Sequence, residues 1–99
     1  MLIIELTYKK PLDEVNALLQ QHRDFLDKYY GEKLFIASGP KHPRTGGIIL
    51  SMSDQSTINK VLQEDPFYQN KVAEYRVIEF EPNRCSHEFE GILGSENSH

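Results

Sequence analysis

His22 and Asp65 are the two side chains of this sequence best suited to moving a proton. Imidazole exchanges a proton near neutral pH, and a neighbouring carboxylate fixes its tautomer and raises its basicity. His22 falls on an apolar stripe between Leu19 and Leu26. On the stripe alone such a histidine reads first as a core-edge residue with one ring nitrogen hydrogen-bonded. Asp65 precedes Pro66 and Phe67 at a helix break, where a lone Asp-Pro ordinarily turns or caps the chain. A catalytic reading requires that the two side chains meet.

A third group of candidates lies in the segment Ser38-Gly39-Pro40-Lys41-His42-Pro43-Arg44-Thr45-Gly46-Gly47. Arg44 and Lys41 supply local positive charge, and arginine suits bidentate capture of a carboxylate or phosphate. Gly39 permits close approach of backbone to a ligand. Ser38 can hydrogen-bond a substrate, while Phe67 and Tyr75 can wall it. The plain alternative is a long hairpin loop with solvated charges. The segment is not a phosphate-binding P-loop, because the Gly-Lys-Ser/Thr ending and the helix after it are missing.

Other chemistries find less support. Cys85 and His87 are close in sequence, with His42 and His99 to spare, but recognisable four-ligand zinc spacing is absent, so no metal site is assigned. Cys85 has no evident base nearby. Strand three, Gly47-Ile48-Ile49-Leu50-Ser51, lacks the aromatic signature of an RNA-recognition sheet. The formal charge of −4, from 11 Lys and Arg against 15 Asp and Glu, argues against broad nucleic-acid binding. No apolar run approaches the ~20 residues of a membrane span. The start of the chain does not read as a signal peptide, since Glu5 interrupts a short apolar stretch that has no basic region before it. A single cysteine fits a reducing compartment, and a cytoplasmic location is expected.

The elements that must position these residues follow from periodicity. Residues 2–9 alternate as a strand, with Leu2, Ile4, Leu6 and Tyr8 on one face and Ile3, Glu5 and Thr7 on the other. Pro11 opens a first helix whose stripe is Val15, Leu18, Leu19, His22, Leu26 and Tyr29, with Gly31 as its stop. Leu34–Ser38 is a second strand, halted by Gly39-Pro40, and Ile48–Met52 is a third. Ser53 or Asp54 caps a second helix with Ile58, Val61 and Leu62 inward. It breaks at Asp65-Pro66-Phe67, and a short turn runs from Tyr68 to Val72. Glu74–Glu81 is the fourth strand.

The order βαββαβ defines an α+β, ferredoxin-like domain over residues 1–82: a four-stranded antiparallel sheet with two helices on one face. Side by side on that face, the helices allow Asp65 to approach His22. Ile3, Phe35 or Ile36, and Ile48 or Ile49 leave apolar groups on the second face as well. A second copy packed sheet to sheet is the simplest cover, so a homodimer is expected. Residues 83–99 form a polar C-terminal tail, with Phe89, Ile92 and Leu93 as its only anchors, suited to a mobile arm or to wrapping a partner.

Taken in order, His22, Ser38-Gly39-Pro40, Asp65-Pro66-Phe67 and the closing strand Tyr75–Pro82 make the chain resemble the YCII (YciI-like) family over about residues 1–82. The resemblance implies a dimeric α+β barrel. It also implies a pocket holding His22 and Asp65, with Ser38, Gly39 and Pro40 near its wall. One member of the family is a dehydrochlorinase of a chlorinated hydroxyhydroquinone. The leading expectation is a small enzyme of lyase or hydrolase type, needing no cofactor, in which a His22–Asp65 dyad acts on an anionic or phenolic molecule. A metabolite-binding module and a purely structural dimer stay open as alternatives.

Overall fold

The structure, a computed structural model, describes residues 1–94. Strand β1 (Leu2–Tyr8) is the centre of its construction. It pairs antiparallel with β3 (Gly46–Ser51) on one side and β4 (Ala73–Glu79) on the other, while β2 (Phe35–Pro40) pairs with β3 at the edge, giving the order β2-β3-β1-β4. The alternation in β1 sorts the two faces as expected. Leu2, Ile4 and Leu6 are at most 2% exposed under the helices, whereas Ile3, Glu5 and Thr7 stay half-buried on the other side.

Register then fixes which residues lie in line across the sheet. On the helix side, Pro40, Gly47, Leu6 and Tyr75 form one row, and Ser38, Ile49, Ile4 and Val77 the next. On the opposite side Ala37, Leu50, Ile3 and Ile78 form a largely apolar row. Gly46 is required where β3 meets β1, because a Cβ there would lie 1.8 Å from the Leu6 carbonyl oxygen. Any side chain at 46 must push the two strands apart.

The helical layer consists of α1 (Leu12–Ala17), α2 (Leu19–Gly31), α3 (Gln55–Leu62) and the single turn α4 (Pro66–Gln69). Each predicted helix keeps its place in the βαββαβ order, with changes in detail. The first is interrupted at Leu18, where φ is −104° and ψ is 0°. Within α2 the buried residues are His22, Phe25 and Tyr29; Phe25, outside the expected stripe, lies fully inward, and Leu26 packs half-buried against the core. Gly31 is not the left-handed terminator. It stays helical, and Lys33 adopts the positive φ of 62°, closing the turn with its N–H on the Tyr30 carbonyl at 3.0 Å.

Strand β2 runs through Gly39-Pro40 instead of stopping at it. Proline lacks an N–H, but the outer side of an edge strand has no ladder bond to lose. Asp54 is the cap of α3, its carboxylate accepting from the Thr57 N–H at 2.7 Å. The hydrogen bonds from Thr57 hold this carboxyl below its ordinary range. Ile58, Val61 and Leu62 point inward as their spacing requires. The segment expected as a turn after Asp65 begins as helix α4, because Pro66 supplies a preset first helical residue.

The C-terminal tail contains a helix that composition did not suggest, α5 (His87–Leu93). Ser86 caps it by accepting from the Phe89 N–H at 3.3 Å, and Gly94, at φ 85°, ends it. Leu93 is buried, whereas Ile92 is 46% exposed. His99, mentioned above as a spare ligand, lies outside the described residues. No helix among the described residues is long and apolar enough to cross a membrane.

Candidate active site

Three adjacent residues, Asp65, Pro66 and Phe67, set the geometry of His22. As N-cap of α4, Asp65 accepts from the Phe67 N–H at 3.0 Å. The same oxygen, Oδ1, lies 2.8 Å from His22 Nδ1. The other, Oδ2, accepts from the Tyr75 hydroxyl at 2.5 Å. The capping role and the histidine contact, alternatives in the sequence, are therefore filled by one carboxylate. Asp65 is completely buried. A buried carboxylate needs hydrogen-bond donors around it, and here they come from α2, α4 and β4.

Phe67 completes the alignment. Its ring stacks on the imidazole at 4.0 Å between centroids and 5° between planes. Nδ1 is thus directed by the carboxylate and the ring plane by Phe67, leaving the imidazole little rotational freedom. Among the described residues Nε2 has no hydrogen-bond partner, and His22 lines a cavity. Burial pushes the Tyr75 phenol far above its ordinary range, and the charge on Asp65 adds to that, so Tyr75 keeps its proton and remains a donor.

A second pair of contacts holds the α3–α4 corner against α2. The Tyr29 hydroxyl donates to Glu64 Oε2 at 2.6 Å, and Lys28 Nζ donates to Oε1 at 2.9 Å. These bonds, Tyr29's first, lower the Glu64 carboxyl. Tyr29 is two helical turns beyond His22, so neighbouring residues Glu64 and Asp65 are gripped by the same face of one helix.

The cavity has a volume of about 330 Å³, near the low end of small-molecule sites. Ile49, Leu6 and Gly47 form part of its floor, Leu19, His22 and Leu26 line it from α2, and Phe67 lines it from α4. Ser38, Gly39 and Pro40 also line it, as does Arg44. Ser38 Oγ is 2.5 Å from the Tyr30 hydroxyl, and Arg44 Nη2 donates to Asn16 Oδ1 at 2.7 Å.

Two sequence candidates have different places. Tyr75 does not line this cavity; it stands behind Asp65 as a hydrogen-bond donor, because β4 lies on the side of β1 away from β2 and β3, whose residues form the floor. Lys41 also lies outside the lining. Its ammonium reaches Glu5 at 3.4 Å and Thr7 at 3.3 Å, whose side chains stand on the sheet face away from the helices. Arg23 and Tyr8, neither of them a sequence candidate, also line the cavity. Arg23 follows His22 directly, but one charged residue on a helix carries no periodic signal. Among the described residues no group of three His, Cys, Asp or Glu side chains is arranged to hold a metal ion.

Fold and site together define a ferredoxin-like α+β domain with an imidazole–carboxylate pair at the wall of a small-molecule-sized cavity. The chain belongs to the YCII-related domain family, whose model matches residues 1–81. A similar solved structure is 5-chloro-2-hydroxyhydroquinone dehydrochlorinase from Burkholderia phenoliruptrix AC1100, in complex with 2,5-dihydroxybenzoquinone. It superposes with a TM-score of 0.67 at 15% identity, over 82% of this chain and 94% of that one. At that identity the likeness concerns the fold. No protein of curated function matches the chain.

Substitution of Tyr75 by Phe removes one donor from the buried carboxylate while keeping the ring. Hydrogen bonds to charged groups contribute roughly 1.5–3 kcal/mol, and Tyr75→Phe is expected to lower the unfolding free energy by about that amount. Urea denaturation followed by circular dichroism measures it; an unchanged midpoint would show that Asp65 does not depend on this bond.

Proposed function

We propose that the cavity is the active site of a small enzyme in which His22 is the general base and Asp65 its orienting partner. The observation that carries this reading is the division of labour on the imidazole. Nδ1 is 2.8 Å from a fully buried carboxylate, while Nε2 is left unpartnered on a ring that lines the cavity. With Nδ1–H donating to Asp65, Nε2 carries a lone pair and can accept a substrate proton. Asp65 then stabilises the imidazolium that forms. Ser38 offers a hydroxyl, and Arg44 a guanidinium, to a phenolic or anionic substrate. The apolar floor and Phe67 exclude water from the reacting group.

Proton abstraction from a phenol or an activated carbon suits this arrangement, as a lyase or hydrolase would use it. The neighbour named above acts on a chlorinated hydroxyhydroquinone, which makes chlorinated hydroquinones the first compounds to try. Loss of HCl from such a ring needs no external oxidant: one hydroxyl becomes a carbonyl as the chlorine-bearing carbon takes up a proton, and the base then takes a second hydroxyl proton while chloride leaves with the electrons of the carbon–chlorine bond. The net loss of one proton and one chloride turns a chlorinated hydroxyhydroquinone into the chlorine-free hydroxyquinone.

His22→Asn is the discriminating variant. Its amide can occupy the Nδ1 position and still donate to Asp65, but nothing replaces Nε2. Removal of a general base costs about 10²–10⁴-fold in rate. Chloride release in a screen of chlorinated hydroquinones is expected to fall by that factor with the fold retained; undiminished turnover in the variant would eliminate His22 as base.

The same proposal includes a second copy of the chain on the open sheet face. Ala37, Leu50, Ile3 and Ile78 lie in one row there, with Ile78 39% exposed. Covering that row adds apolar burial to a domain small enough to need it. Light scattering is expected to give twice the chain mass for the wild type and a monomer for Leu50→Asp. A monomeric wild type would remove this part of the account.

A further inference from the structure

The cavity beside His22 is basic although the chain is acidic. Asp and Glu outnumber Lys and Arg by 15 to 11, yet the lining contains Arg23, Arg44 and His22 and no carboxylate. Asp65 stands behind the imidazole, with its oxygens engaged by His22, Phe67 and Tyr75.

The two guanidiniums differ in how they are held. Arg44 is tethered: Nη2 donates to Asn16, and the guanidinium carbon is 5.9 Å from the centre of the Tyr8 ring. An arginine has five N–H donors in a planar fork, so most of Arg44's remain available. Arg23 has no hydrogen-bond or ion-pair partner among the described residues, and it directly follows His22 in α2. Both side chains belong to exposed residues, which places them on the open side of the cavity. The enclosed side is apolar, lined by Leu6, Leu19, Leu26, Ile49 and Phe67. Low-dielectric walls concentrate the field of two like charges into the space between them, and the planar forks match a carboxylate.

We infer that the site takes a single-ring aromatic acid, its ring against the apolar wall and its carboxylate held by Arg23 and Arg44. The available 330 Å³ suits one ring. In this pose the carboxylate faces the open side, and a ring hydroxyl or ring carbon is presented to His22 Nε2. Arg23 is then a specificity-determining residue, and an uncharged analogue of the same ring is discriminated against. The inference rests on the cavity being the substrate site, but not on His22 acting as a base.

A matched pair of probes tests it: 2,5-dihydroxybenzoate, and hydroquinone, the same ring without the carboxylate. Binding of each is measured by calorimetry or NMR titration at low salt with the wild type, Arg23→Gln, Arg44→Gln, the double variant and His22→Asn. The wild type is expected to prefer the acid by about tenfold or more, equivalent to ~1.4 kcal/mol. Each arginine variant should reduce that preference severalfold, the double variant should abolish it, and added salt should weaken only the acid. Affinity for hydroquinone should stay the same in Arg23→Gln. Equal affinity for the two probes, no binding of either, or a preference that survives in the double variant overturns the inference. His22→Asn separates the two claims: a carboxylate preference that persists when His22 proves dispensable for turnover removes the catalytic role alone.

Discussion

A carboxylate without solvent contact is the constraint around which this domain is arranged. Placing an ion in the protein interior costs several kcal/mol unless donors replace its water. Asp65 meets that requirement with His22 from α2, the Phe67 N–H from α4 and the Tyr75 hydroxyl from β4. The helical layer and the sheet are thereby joined through one side chain. Removing a donor leaves the charge short of a partner, so stability and the orientation of the imidazole are not independent properties here. Pro66 contributes by fixing the first residue of α4, which keeps Asp65 and Phe67 at the spacing that lets one orient Nδ1 and the other stack on the ring.

A buried histidine satisfied by a capping aspartate is a common structural device. Two further features distinguish this one. The second ring nitrogen is unpartnered on a ring that lines a cavity, and the residues sharing that lining are either apolar or bear positive or neutral polar groups. A purely structural pair would not require a cavity whose charge runs against that of the chain. Tyr75 and Glu64 show how the surroundings sustain the arrangement: the phenol is held protonated as a donor, and Glu64, bound by Tyr29 and Lys28, keeps the α3–α4 corner against α2.

Much of this was legible in the sequence, and the reasons are physical. Strict alternation in Leu2–Tyr8 encodes which face is covered, and the inward set is the one found buried. The pairing of His22 with Asp65 was accessible because the βαββαβ order places both helices on one side of the sheet. What sequence did not show is local or depends on distant partners. The interruption at Leu18 leaves no mark in residue type, and helical spacing from His22 admits both Phe25 and Leu26, so sequence does not decide which is the more deeply buried. Pro40 reads as a terminator until β2 is known to be an edge strand. Helix α5 depends on a Ser86 cap in a polar stretch that carries little apolar periodicity. Tyr75 reads as a wall residue until β4 is placed on the far side of β1 from the cavity floor, where its hydroxyl meets Asp65. Arg23 gains meaning only from the fold, in which α2 and the loop carrying Arg44 line the same space.

The central claim is a statement about where one proton sits, and nitrogen NMR of the His22 ring reads it directly. In the neutral imidazole, Nδ1 should carry the proton and Nε2 should show the shift of an unprotonated nitrogen, because Nδ1–H donates to Asp65. In Asp65→Ala nothing is left to accept from Nδ1–H, and the ring should shift toward the Nε2–H form that histidine favours in water. Observation of the Nε2–H tautomer in the wild type, or of the same tautomer in both proteins, would contradict the account.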